Sequence, residues 1–210
     1  MQSVEQLAQQ AHIAQESRES VRFYIAFEKY QEDFSLEERE LKENVILDVG
    51  TGEGDFIHYI QKVYGNKHAY GIDFNQDAIN QTYSYLATGN LQSLPYSDNL
   101  FDTTISRNVL HGIFLSGTTD SITKAFSELM RVTKDGGTLM YAIKNPERIR
   151  KAIIKDVEDP ELKDSLLLKL TQGMETEAQY LTHIQSLGNK ISVVFRGPRR
   201  IVKIEKRALQ

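Results

Sequence analysis

The stretch VILDVGTGEGDF, Val45 to Phe56, constrains the fold of this chain more than any other. Three apolar residues run into an aspartate, and glycine then recurs at positions 50, 52 and 54. The apolar run reads as a short buried strand. GDFIHYIQKVYG carries Phe56, Ile57, Ile60 and Val63 at helical spacing and reads as a helix stopped by Gly65. A strand, a glycine loop and a helix in that order begin a crossover unit of a parallel sheet. Glycines at a strand end let a ligand approach the main chain, because no Cβ stands in the way. A plain tight turn is the alternative.

The alternation continues downstream. HAYGIDF reads as a second strand, NQDAIN as a short helix capped by Asn75, YSYLATGN as a third strand and FDTTISRNVL as a fourth. SITKAFSELMRVTK places Ile122, Ala125, Phe126, Leu129, Met130 and Val132 near one helical face, and GGTLMYAI follows as a fifth strand. Such a chain is α/β, with a parallel sheet wrapped on both sides. The N-terminal forty or so residues read as polar helix, with an aromatic cluster of Phe23, Tyr24, Phe27, Tyr30 and Phe34 that is better explained as a packing face than as a cage. After the fifth strand the pattern changes. Residues 146–174 look helical with a start at Asp159-Pro160, Thr176 and Gln179 read as a capping box, and Gly188 as a helix stop. KISVVFRGPRRIVKIEK then reads as an antiparallel hairpin about Gly197-Pro198.

Composition excludes several chemistries. With no cysteine among 210 residues there is no disulfide, no thiolate nucleophile and no Cys-ligated zinc. The five histidines show no metal-ligand spacing, so no metal is expected. A net charge of -4 gives no overall attraction to nucleic acid or acidic membranes. No basic start leads into an apolar run at the N-terminus, and no apolar run reaches the length of a membrane span, so a cytoplasmic protein without membrane partners is expected.

In an open α/β sheet, ligands bind beyond the carboxyl ends of the strands where strand order reverses. The first strand ends at Asp48-Val49, so the Gly50–Gly54 loop is the expected floor of such a site. The second ends at Asp73, about twenty residues further on, where a carboxylate accepts hydrogen bonds from ribose hydroxyls. Together they imply an adenosine-containing cofactor. A dinucleotide loop would be G-x-G-x-x-G/A, and Asp55 is awkward in its close-packed position. Glu53 at the helix start would repel a pyrophosphate. S-adenosylmethionine has no phosphate and carries a cation, so an acidic floor of Asp48 and Glu53 suits it. A nicotinamide-dependent oxidoreductase is the less favoured alternative.

At these residues the sequence resembles the class I S-adenosylmethionine-dependent methyltransferase family, from about Asn44 to Ile143. LDVGTGEG is similar to its first motif and GIDFNQDAI to its second. ATGNLQSLPYSDNLFD, ISRNVLHGI and SELMRVTKDGGTL are similar to the segments that follow. The resemblance implies a Rossmann-like doubly wound, mostly parallel seven-stranded sheet with an antiparallel C-terminal hairpin and N-terminal helices. One domain is expected, with 1–43 as a helical cap, 44–144 as the cofactor-binding core, 145–189 as a helical segment and 190–210 as the hairpin.

The resemblance further implies that Asp48 and the loop of Gly50, Thr51, Gly52 and Gly54 contact the methionine part of S-adenosylmethionine. Asp73 would hold the ribose, with Phe74 flanking the adenine, Asn90 and Leu91 at its edge, and Asn108 under the sulfonium end. Asn90 replaces the family's usual Asp and retains a carbonyl acceptor; Asp135 replaces a usual Pro in a turn remote from the site. An ordinary turn accounts for Asn90 nearly as well, and a strand end for Asn108 equally well. His111 is the catalytic candidate, a proton acceptor near neutral pH, although a loop-orienting role outweighs that one. The implied reaction is methyl transfer to a small-molecule O, N or S acceptor, releasing S-adenosylhomocysteine. A non-methylating member or partner subunit is the alternative. SRNVLHGI stands where amino-methylating nucleic-acid enzymes carry Asn-Pro-Pro-Tyr, so nucleic acid is disfavoured as a substrate. The basic hairpin residues Arg196, Arg199, Arg200, Lys203 and Lys206 read most simply as a solvated face, with contact to RNA or an acidic substrate as the alternative.

Overall fold

The computed structural model describes residues 4–79 and 83–208, with side chains from Arg18 onward. Two helices, α1 (Val4–Phe34) and α2 (Glu38–Glu43), precede β1 (Ile46–Val49). Then come α3 (Asp55–Tyr59), β2 (Ala69–Asp73), β3 (Leu86–Thr88), β4 (Phe101–Arg107), α4 (Leu110–Ser116), α5 (Thr119–Val132) and β5 (Thr133–Lys144). The chain continues through α6 (Pro146–Asp156), α7 (Pro160–Ser186), β6 (Lys190–Arg196) and β7 (Arg199–Glu205). The seven strands form one sheet in the order β3-β2-β1-β4-β5-β7-β6. The first five are parallel, and the β6–β7 hairpin closes antiparallel on β5. This is the Rossmann-like seven-stranded sheet expected from the sequence.

Strand alternation sorts the core into two layers. Leu47 and Val49 of β1, and Leu139, Tyr141 and Ile143 of β5, pack with Phe114 of α4, Phe126 of α5 and Ile184 of α7. Ile46, Ile105, Met140 and Ala142 face the other way, against Phe56 and Ile57 of α3 and the aromatic face of α1. That face is built at a spacing of four, three and four by Phe23, Phe27, Tyr30 and Phe34, all buried. Tyr30 stacks on Phe56 at 3.9 Å between ring centroids, and Phe27 on Tyr59 at 4.4 Å. The fully buried Phe56 contributes about 2–3 kcal/mol by burial alone. Tyr24 lies off this face and is exposed. Among the described residues no helix is long and apolar enough to cross a membrane.

Three local expectations are corrected. NQDAIN does not open a helix: the Asn75 side chain accepts from the Asp77 amide at 3.1 Å, and residues 75–79 form turns, while residues 80–82 lie outside the described ones. An Asx turn offers the backbone a competing set of bonds, so the cap forms without its helix. Thr176 and Gln179 do not form a capping box, because α7 runs unbroken through them and the Thr176 hydroxyl donates to the Gln172 carbonyl at 2.8 Å. Gly173 sustains this continuity where α7 crosses α4, since a Cβ there would lie 2.6 Å from the Phe114 Cβ. The helix after the glycine loop ends as a π-helical turn, Ile60–Tyr64, and this wider turn carries Val63 off the buried face to 55% exposure.

Candidate functional site

The strand order places a reversal at β1, with β2 on one side and β4 on the other. Crossovers leave this point in opposite directions, and the loops after β1 and β4 flank the resulting crevice. The loops touch: a Cβ added to Gly50, whose φ is +81°, would lie 1.9 Å from Val109 Cγ2. Gly50 is therefore bare for packing and for its left-handed backbone alike. Gly52, at φ +60°, differs, because a Cβ there would meet nothing within 4 Å. Its bare backbone faces open space, as a close ligand approach requires. Gly54 backs onto Leu86, 2.5 Å from where its Cβ would stand.

Gly50, Thr51 and Gly52 line a cavity of about 510 Å³ with Asn108, Arg107 and the α1 residues Val21, Arg22, Ile25, Ala26, Lys29 and Tyr30. Asp48 lies beneath it, wholly buried, and accepts a hydrogen bond from the Tyr30 hydroxyl at 2.9 Å. Its Oδ1 and the Thr51 hydroxyl are both buried without a well-formed hydrogen bond among the described residues. Burial pushes the Asp48 carboxyl up to about 7, against the opposing pull of the Tyr30 and Thr51 hydroxyls and the Arg107 guanidinium. Asp73 Oδ2 accepts from the Gly52 amide at 2.9 Å and Oδ1 from the Asn75 amide at 3.0 Å, so one carboxylate fixes the loop at its bare glycine. Each oxygen retains a further lone pair.

The remaining expected residues divide between two other cavities. Phe74, Asn90 and Leu91 line one of about 590 Å³ with Val109 and Gly112, on the other side of the Gly50–Val109 contact. Phe74 is 79% exposed there, and the Asn90 carbonyl oxygen accepts from the Gln92 amide at 2.8 Å. The Asn90 side chain thus has the turn role and keeps one lone pair for a ligand. His111 does not line the glycine-loop cavity. It lines a separate one of about 510 Å³ with Leu115, Lys144, Arg148, Ile149, Ala152, Pro198 and Arg199. Its Nδ1 has no hydrogen-bond partner among the described residues, and burial, then Lys144 and Arg199, lowers its pKa. The acidic floor is corrected in one respect. Glu53 is 60% exposed and pairs with Arg22 of α1 at 2.6 Å, and Arg22 also reaches Asp55 at 2.9 Å. Those carboxylates tie α1 over the loop, and Asp48 is the buried acid.

Sequence reasoning missed the network behind the crevice. Asp33, 5% exposed, accepts from Arg107 Nε at 2.7 Å and lies 3.0 Å from Arg199 Nε. Arg107 lies 5.5 Å from the Tyr30 ring centroid, and Arg199 donates to the Asn108 side-chain oxygen. α1, β4 and β7 are thereby bolted together around the crevice. A signal was present in the sequence: Asp33 interrupts the aromatic face at Tyr30 and Phe34, and a carboxylate among core positions needs a cation.

Residues 47–141 match the family model described as a methyltransferase domain. A curated relative from Roseiflexus castenholzii (strain DSM 13941 / HLO8), named demethylmenaquinone methyltransferase, is 32% identical over 100 residues, covering 44% of this chain and 40% of its own length. The chain therefore spans well under half of the curated relative it matches. An S-adenosylmethionine-dependent methyltransferase from Methanosarcina mazei has a similar structure, with a TM-score of 0.55 at 17% identity, covering 80% of this chain and 94% of that one. So does the plantazolicin methyltransferase BpumL in complex with S-adenosylhomocysteine, with a TM-score of 0.52 at 14% identity, covering 90% and 84%. At these identities the structural likeness carries the fold.

Proposed function

We propose that this chain, whose residues 47–141 match a methyltransferase-domain model, is a class I S-adenosylmethionine-dependent methyltransferase that transfers a methyl group to a small-molecule O, N or S acceptor. The observation that carries the reading is the floor of the crevice, where Gly52 is open to the cavity, bonded to Asp73 and set over the buried Asp48. The residues fit the cofactor. A methionine ammonium supplies the donor that Asp48 Oδ1 lacks, and ribose hydroxyls suit the spare lone pairs of Asp73. A cationic ligand also offsets the cost of ionising Asp48 in the core. In this reading the Gly50–Gly54 loop holds the methionine part, Phe74, Asn90 and Leu91 hold the adenine, and Asn108 borders the sulfonium end.

When bound, S-adenosylmethionine would supply an electrophilic methyl for an acceptor lone pair, with S-adenosylhomocysteine as the leaving group and any acceptor proton released to solvent. Nothing in that displacement demands a strong acid, so the protein's task is alignment and exclusion of water. Val21, Ile25 and Ala26 of α1 wall the glycine-loop cavity, and the Arg22 pairs to Glu53 and Asp55 hold that wall in place. His111 serves as proton acceptor only for an acceptor that reaches its own cavity beyond Asn108. The curated relative named for demethylmenaquinone supports a small-molecule acceptor.

Calorimetric titration with S-adenosylmethionine, S-adenosylhomocysteine and NADH tests the reading. Micromolar binding of the first two is expected, weakened by at least about tenfold in Asp73→Ala, which removes both the ribose acceptor and the Gly52 tether. Binding of NADH alone would refute it. A labelled methyl donor then screens acceptors.

A further inference from the structure

Resting on the reading of a methyltransferase, we propose that the acceptor is a small amphipathic acid, its carboxylate or phosphate held by a basic wall built from α1, the end of β5, α6 and the β6–β7 hairpin. Beyond Asn108 and Arg107, a second cavity of about 590 Å³ opens between α1 and the hairpin, lined by Lys29, Arg196 and Arg199. It shares Arg199 and Pro198 with the His111 cavity, which adds Lys144 and Arg148 and has no carboxylate in its lining. Lys29, Lys144 and Arg148 make no ion pair among the described residues. Arg196 spends its guanidinium on neutral acceptors, the Glu32 carbonyl at 2.9 Å and the Ser35 hydroxyl at 2.5 Å. The opposing acids are Glu32 and Asp33, and Asp33 is already shared by Arg107 and Arg199.

A surplus of cations therefore lines a concave surface on a protein whose net charge is -4. Such a surface attracts and orients an anion. The lowered pKa of Arg199, caused by burial and then by Arg107, fits the same field. Not all the basic residues of the hairpin contribute: Arg200 pairs with the buried Glu177 at 2.6 Å, and Lys206 caps the Met130 and Thr133 carbonyls. The wall is selective rather than generally basic. Leu115, Ile149, Ala152 and Pro198 supply an apolar side to the same cavity, which suits a compact hydrocarbon body. No Phe or Tyr lines either basic cavity, and His111 is a single ring in one of them, so neither offers a run of rings for stacked bases.

The probes are benzoate, phenyl phosphate, benzamide and benzylamine, titrated into the full chain with and without S-adenosylhomocysteine. At least one of the two acids is expected to bind with a Kd of about 1 mM or tighter, with benzamide and benzylamine about tenfold weaker. Lys144→Gln and Arg148→Gln each weaken acid binding by about tenfold and leave S-adenosylhomocysteine affinity unchanged, while Lys155→Gln, an exposed charge elsewhere on α6, alters neither. Equal affinity for acid and amide, no binding of either acid, or indifference to both substitutions would overturn the proposal. Tighter binding of an oligouridylate than of either ring acid, lost with the same substitutions, would assign the wall to a polyanion and overturn it too. The two readings fail separately. Acid binding without S-adenosylhomocysteine binding supports the wall and refutes the methyltransferase, and the reverse refutes the wall alone.

Discussion

Asp48→Asn should stabilise the ligand-free protein at alkaline pH while abolishing the site. The Asp48 carboxyl is wholly buried and its pKa is raised from 3.8 to about 7, with burial as the leading cause. The folded chain thus holds this proton more tightly than the unfolded chain does. Its contribution to stability is greatest below the unfolded value and is lost as pH rises toward about 7, at about 1.4 kcal/mol per unit. Between about pH 5 and about pH 8 the wild type should lose about 3 kcal/mol from this group alone. Asparagine keeps the shape and an acceptor for the Tyr30 hydroxyl but cannot ionise, so its variant lacks that loss. Its amide N–H₂, placed at the unpartnered Oδ1, costs about 1 kcal/mol, equally at both pH values. Urea unfolding of both proteins at the two pH values reads the difference directly. Parallel pH dependence of the two would refute the reasoning, because Asp48 would then not be the group that titrates. Calorimetry on the same samples should find S-adenosylhomocysteine binding lost at both.

Asp33→Ala should destabilise by about 3–5 kcal/mol, since it leaves Arg107 and Arg199 facing each other without their shared carboxylate; urea unfolding measures it. Gly50→Ala should cost about 2–4 kcal/mol from left-handed strain plus collision with Val109, and Val109→Ala in the same chain should restore only the collision part. Gly52→Ala should cost only the strain, about 1–2 kcal/mol, yet reduce S-adenosylhomocysteine affinity by more than about tenfold, because its Cβ enters space otherwise open to the ligand. Glu177→Gln should lower stability by about 3 kcal/mol, as it removes the buried carboxylate that pairs with the half-buried Arg200, and should leave cofactor affinity unaltered.

The parts of this protein that were legible in its sequence are those fixed by neighbours along the chain. β1, its glycine loop and the helix after it are written in one run, Val45 to Gly65, because periodicity, left-handed turns and helix stops are local properties. Asp73 was legible for the same reason, as a carboxylate at a strand end, and its bond to Gly52 spans only 21 residues. Local rules failed where a second local bond or a tertiary contact won. Asn75 capped a turn rather than a helix, and Thr176 bonded backward along a helix that its packing on α4 keeps continuous. The Asp33–Arg107 contact joins residues 74 apart, and the Arg199–Asn108 contact joins residues 91 apart. No pattern in one sequence pairs such positions.

That difference bears on how the crevice is divided. The strand-end residues that sequence could identify, Asp48, the glycines and Asp73, belong to the side assigned to the cofactor, where the backbone itself forms the floor. The acceptor side is made by long cationic side chains converging from α1, β5, α6 and the hairpin. A floor made of backbone requires glycine and acid at fixed positions, so its sequence imprint is narrow. A wall made of arginine and lysine tips accepts many origins for the same charge, because each side chain reaches the cavity from a different stem. The imprint of such a wall is only an excess of cations scattered over distant segments, which a solvated surface produces as well. The fold must be built before the two can be told apart, and here Arg200 and Lys206 turn inward to bind Glu177 and backbone carbonyls while Arg199 turns to Asp33 and Asn108 at the crevice.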